Sequence, residues 1–273
     1  MISGFSGKQG SLSSRSRGRQ TVVDRAGSKH SLIRAIGGSD ILTWIDATRT
    51  SVVLGTDLTN ASINTITGTE SIVGSNAPTT IFSTPLNSTA YSFSTNQTLE
   101  WAINFFPSSQ TEATIATKFV IPGTLTDHII FELGSAGGYD AVNGGLVQGG
   151  LRNSGDGDNT NFWSGIGDAT SNDTFFLNVR MTQNTATTMV STFNTATNPD
   201  AVTVASNGVN LAQAGTLNKD TTHDILRANK SYLGARNDGA SIPLNGHISD
   251  FIIITRLLTA SESSRLSLGL LRQ

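Results

Sequence analysis

The sequence predicts an all-β protein: a two-sheet antiparallel sandwich with an extended N-terminal arm and one short C-terminal helix. Composition is the first reason. Of 273 residues, 37% are hydrophobic and only 14% charged, with 28 glycines and abundant Ser, Thr and Asn. β-Branched Thr fits a pleated surface, and Gly, Asn and Ser fit tight turns. The second reason is rhythm, because short apolar runs recur between polar punctuation at spacings of about 8–15 residues. The third is a single helix signal at the end of the chain.

Residues 1–36 form the predicted arm. Gly, Ser and Arg dominate there, and apolar side chains are too sparse to drive folding of the segment alone. The arm carries seven basic residues against the single Asp24, a net of +6; residues 37–273 carry 11 basic and 19 acidic ones, a net of −8. A basic arm on a mildly acidic body points to a partner for the arm. Arg15, Arg17, Arg19 and Arg25 are its candidate charge contacts, and Val22, Val23, Leu32 and Ile33 its candidate apolar anchors.

Residues 37–273 form the predicted sandwich. Strand patterns occur at 41–47, 79–83, 90–94, 98–106, 113–121 and 127–133, then at 143–151, 173–181, 186–193 and 247–255. Near the end, Thr259 and Glu262 make a T-x-x-E capping box, followed by Leu266 and Leu270 at helical spacing. There is no cysteine, so no disulfide framework is expected. No apolar run reaches the ~20 residues of a membrane span, and the N-terminus lacks the apolar core of a secretory signal.

Two segments carry a resemblance. YLGARNDGASIPLNGHISDFIIITRLLTASESSRL, residues 232–266, and DILTWIDATRT, residues 40–50, resemble the closing and opening strands of the concanavalin A-like lectin/glucanase superfamily, in its laminin-G-like branch. The resemblance implies a jelly-roll sandwich whose open end is capped by Leu258 and the terminal helix. It leaves function open, since the architecture serves lectins, glycosidases, adhesion modules and virion proteins alike.

Catalysis is not expected. The glucanases of that superfamily carry Glu-x-Asp-x-x-Glu on one strand, which is absent here; glycoside hydrolysis needs two carboxylates roughly 5–9.5 Å apart. Asp127 and Glu132 stand at an odd spacing, on opposite faces of a regular strand. The four histidines sit in no nucleophile elbow. The glycines of 134–150 lack the Gly-Lys-Ser/Thr of a phosphate loop and read as a hairpin. In SGDGDNTNF (154–162), Asp156, Asp158, Thr160 and Asn161 stand at cation-ligand spacing, but Gly167 occupies the place of the bidentate Glu, so a polar turn is preferred. No cofactor or metal is expected.

Sugar recognition has one candidate constellation: Trp163 as an exposed loop aromatic, with Asn159, Asn161 and Asp168 around it. Trp44 and Trp101 lie in strand patterns and are expected in the core. The whole chain resembles virion structural proteins of tailed bacteriophages, which implies a capsid decoration (cement) or minor capsid protein assembled in the host cytoplasm. Its partners would then be the major capsid protein or other virion subunits, with a homo-oligomer also open. The alternative is a carbohydrate-binding adhesin or tail-fibre module for a host glycan. Membrane and nucleic-acid partners are disfavoured, the latter because the arm has few aromatics and no RNA-binding signature.

Overall fold

The computed structural model describes residues 22–47, 78–95, 97–101, 106, 109–123, 127–134, 145–152, 160–167, 172–180, 182–197, 201–211, 213–217, 230–235 and 242–273. They build two antiparallel sheets face to face, as expected. The eight-stranded sheet contains β1 (Ile41–Asp46), β2 (Thr79–Ser83), β3 (Ser88–Ser92), β5 (Glu112–Val120), β10 (Thr187–Asn194), β11 (Ala201–Ser206), β12 (Val209–Leu211) and β15 (His247–Ile254). The seven-stranded sheet contains β4 (Leu99–Trp101), β6 (His128–Gly134), β7 (Gly145–Arg152), β8 (Thr160–Gly167), β9 (Asn172–Arg180), β13 (Gln213–Leu217) and β14 (Lys230–Leu233).

Side-chain alternation along each strand divides the molecule into layers. Between the sheets lie Ile115, Phe119, Phe131, Leu133, Leu146, Phe162, Ile166, Phe193, Phe251 and Ile253. Aromatic rings join the two sheets: Phe119 meets Phe162 edge-on at 5.7 Å between ring centroids, and Phe131 of β6 meets Phe251 of β15 at a tilt, also at 5.7 Å. One polar bridge crosses the layer, where Gln148 Nε2 donates to Ser164 Oγ at 3.1 Å and to Ser191 Oγ.

The outer face of the eight-stranded sheet is covered by two helices, α1 (Val22–Gly37) and α2 (Ala260–Leu271). Ile33 and Ile36 of α1 and Leu266 and Leu270 of α2 pack over Trp44, Ala116, Val190, Ile252 and Ile254. Leu32 lies so close to α2 that a Cβ on Gly269 would meet its Cδ2 at 1.9 Å. Helix α2 therefore rests on a sheet face, whereas the resemblance implied a cap over the open end of the sandwich. Trp44 is buried as expected, beneath the helices and not between the sheets. Among the described residues no helix is long and apolar enough to cross a membrane.

The capping box forms as the sequence predicts. Glu262 N donates to Thr259 Oγ1 at 3.2 Å and Thr259 N donates to Glu262 Oε2 at 2.8 Å. Arg256 completes it, with Nη2 2.8 Å from Glu262 Oε1, Nε 3.2 Å from Asp40 Oδ2, and a bond to the Ile36 carbonyl. The Arg256 guanidinium, with help from the Thr259 N–H, holds the Glu262 carboxyl at about 2. A depressed carboxylate stabilises the fold fully above its unfolded value of 4.5, and that contribution is lost as pH falls from there through about 2. Glu262→Gln is thus expected to lower stability at neutral pH and to flatten its decline over that interval, measured by urea unfolding at successive pH values.

One part of the arm departs from the expected extended form. Residues 22–37 are helical because Lys29, Ile33 and Ile36 fall on one side of a turn and bury against the sheet; tertiary burial outweighs the poor local composition. Residues 1–21, including Arg15, Arg17 and Arg19, lie outside the described residues.

Candidate functional site

The outer face of the seven-stranded sheet is the candidate ligand face. Glu132 stands between Phe131 and Leu133, Tyr232 beside Leu233, Val147 beside Leu146, and Trp163 beside Phe162. Each neighbour points into the inter-sheet core, so alternation turns these four outward. Register aligns three of them laterally: Tyr232 is opposite Glu132, Glu132 opposite Val147, and Val147 opposite Gly165, two residues along β8 from Trp163. On its other side Tyr232 is opposite Glu100.

Trp163 is opposite Gly149 on β7. The absence of a side chain at Gly149 makes room for the indole: a Cβ there would come within 3.3 Å of Trp163 Nε1 and 2.4 Å of the His128 carbonyl. Ile129, Val147 and Ile242 pack around the ring. The face is polar in chemistry but shielded: Glu132, Tyr232 and Trp163 are 0%, 1% and 6% exposed.

This arrangement corrects the expected sugar constellation. Trp163 is not an exposed loop aromatic; it sits mid-strand on β8, with Phe162 and Ile166 on the opposite face. Asn161 is the second residue of the same strand, and its distance to Gly167 at the far end is ~20 Å at the rise of a β-strand. Asn159 and Asp168 lie outside the described residues, beyond the two ends of that strand, as do Asp156 and Asp158 of the cation-spaced segment. Among the described residues no His, Asp or Glu group is placed to hold a metal ion. Glu132 and Tyr232, which the sequence did not single out as sugar contacts, join Trp163 on the face. Only β-pairing register, invisible in one sequence, puts them on one face.

A second polar cluster lies on the opposite side of the molecule, beneath α1. Lys29 Nζ is 2.8 Å from Asp250 Oδ1 and 3.0 Å from Asp46 Oδ2, and their side chains are 5%, 2% and 0% exposed. Asp46 and Asp250 are register partners on β1 and β15, and Lys118 on β5 is opposite Asp250. Ser249 Oγ donates to Asp250 Oδ2 at 2.9 Å. Burial pulls the Lys29 amine down, but Asp250 and Asp46 outweigh it and hold it above the ordinary lysine value. Burial pushes the Asp250 carboxyl up, yet Lys29, Lys118 and Ser249 bring it below its ordinary value. Lys118 goes the other way: burial lowers it. Tyr91 is pushed up to about 12 by burial and by Asp46.

The arm's predicted anchors are accounted for in part. Ile33 is fully buried and Leu32 packs on α2, so both grip the protein's own body rather than a partner. Val22, Val23 and Arg25 lie on α1, and their side chains fall outside the description.

No family model matches the chain, and no curated protein matches it. Among solved structures, the chain is similar to domain 4 of AbnA, a GH43 extracellular arabinanase from Geobacillus stearothermophilus, in complex with arabinotriose. That likeness has 16% identity and a TM-score of 0.55, and covers 84% of this chain and 98% of the domain. It is also similar to a heptameric SAP-like pentraxin from Limulus polyphemus, at 15% identity and a TM-score of 0.46 over 62% of this chain and 75% of that one. A botulinum neurotoxin type G receptor-binding domain matches at 14% identity and a TM-score of 0.44, over 70% of this chain and 44% of that one. At these identities the likeness to the AbnA domain shows the fold, a lectin-like β-sandwich, and no more.

Proposed function

We propose that this chain is a non-catalytic carbohydrate-recognition module whose ligand meets the outer face of the seven-stranded sheet. The observation that carries this reading is the placing of Glu132, Tyr232 and Trp163 on that one face, Tyr232 beside Glu132 and Trp163 two strands further on, above a glycine-lined strand pair. A carboxylate and a phenol supply the acceptor and donor that sugar hydroxyls need, and an indole supplies the apolar plane for a pyranose or furanose face. All three are buried by the chain itself, so a ligand reaches them only where that cover moves aside. The AbnA domain, of the same architecture, is a complex with arabinotriose, so short arabino-oligosaccharides are the first ligands to test.

A second reading is a virion decoration or minor capsid protein held to the particle by residues 1–36. It is supported by the net charge of +6 on residues 1–36; because α1 is spent on the protein's own sheet, on the side away from Trp163, the residues before α1 are the part left to grip a particle. Anchoring and recognition would then use opposite faces.

One titration addresses both. Glycan-array screening followed by calorimetry is expected to find an oligosaccharide ligand, and Tyr232→Phe, which removes only a hydroxyl, is expected to weaken it about tenfold, close to 1.4 kcal/mol. Folded protein that binds no glycan on the array, yet co-sediments with phage particles, would replace the first reading by the second.

A further inference from the structure

The cluster beneath α1 is built for a reaction as well as for an ion pair. We propose that Lys29 and Asp250 condense within the folded chain to an amide cross-link, with Asp46 carrying the protons. The nucleophile, Lys29 Nζ, lies 2.8 Å from Oδ1 of the Asp250 carboxylate whose carbon it would attack. Asp46 Oδ2, at 3.0 Å from the same nitrogen, is within reach to accept its proton. The Ser249 hydroxyl already donates to Asp250 Oδ2 at 2.9 Å, the oxygen on which negative charge develops when the carbonyl carbon becomes tetrahedral.

The step balances without any co-reactant. Lys29 begins as an ammonium ion and Asp250 as a carboxylate. Asp46 takes one proton from Nζ and passes it to Asp250 Oδ1. The freed lone pair attacks Asp250 Cγ, forming the C–N bond. Asp46 then takes a second proton from the nitrogen and gives it to Oδ1; the C–Oδ1 bond breaks and water departs. Asp46 ends as the carboxylate it began as, and the sum is ammonium plus carboxylate to amide plus water.

Three features favour completion. Neighbours held in attack orientation reach effective molarities of order 10⁵ M and above. The site is almost sealed, with side-chain exposures of 5%, 2% and 0% for Lys29, Asp250 and Asp46, so the expelled water has little route back. Condensation also ends the desolvation of two buried charges, against the loss of the attraction that holds Lys29 protonated and Asp250 ionised, and leaves Asp46 with Lys118 as its counter-charge. In a chain without cysteine, the amide would tie α1 to β15 as a disulfide would elsewhere.

Intact-mass measurement of the full-length protein under denaturing conditions is the test. The expected mass is one water below that of the sequence. Trypsin should leave Lys29 uncut and yield residues 26–34 joined to residues 237–256. Asp250→Ala should restore the full mass, and Asp46→Asn should slow or abolish the loss. Wild-type protein that is folded, carries its full sequence mass and is cut after Lys29 overturns the proposal, as does a water loss mapped to any other position. Because the wild-type measurement alone decides, a variant that fails to fold does not protect the idea.

Discussion

Lys29→Met is expected to destabilise the protein by about 3–5 kcal/mol, the range for removing one partner of a buried ion pair. Methionine fills much of the lysine stem's volume but leaves Asp46 and Asp250 facing each other across β1 and β15, with Lys118, among the described residues, the cation nearby to offset two carboxylates. The loss should appear as a lower urea midpoint with an unchanged slope. Adding Asp250→Asn should recover much of it, since the stranded charge is then gone. That recovery is the ion pair's signature: with Lys29 and Asp250 joined as an amide, both variants would lose the cross-link and Asp250→Asn would recover little.

The second large effect is in the layer between the sheets. Phe251→Ala is expected to cost about 3–5 kcal/mol through lost burial and a cavity that neighbours fill only in part. Phe251 is 1% exposed, sits on β15 between β1 and β5, and touches Phe131 of the facing sheet with 5.7 Å between centroids. Its ring is one of the contacts that hold the sheets together, so thermal unfolding should remain cooperative while its midpoint falls. Truncating Phe82, which is 66% exposed on the edge strand β2, should by contrast change stability little.

Much of the sandwich was legible in the sequence because its strands carry dense β-branched and aromatic runs. HISDFIII and ATIATKFV announce β15 and β5, and the T-x-x-E box announces α2 to within a residue. Other strands were hidden. NFWSGIG reads as a polar, glycine-rich loop, yet forms β8, because glycine on β7 lets Trp163 lie down on its neighbour and Phe162 and Ile166 supply the inward face. The strands of 201–217 are short and rich in Ala, Ser, Asn and Gly, so their pairing partners, not their own composition, make them strands.

The carbohydrate-like face was less legible. A lone tryptophan among asparagines drew attention to residues 159–168, whereas Glu132 and Tyr232 come from segments 31 and 69 residues away from Trp163 and meet only through register.

The sequence by itself determined the layer architecture, the capping box and the charge asymmetry of the arm, because these follow from local periodicity and composition. Tertiary structure alone decided what the arm's lysine does. Counted by sequence, Lys29 is one more surface cation in a basic tail; folded, it is 4% exposed between two aspartates that lie 17 and 221 residues away. Coulomb attraction in a site shielded from water selects that arrangement, and no local pattern encodes a partner at such a distance.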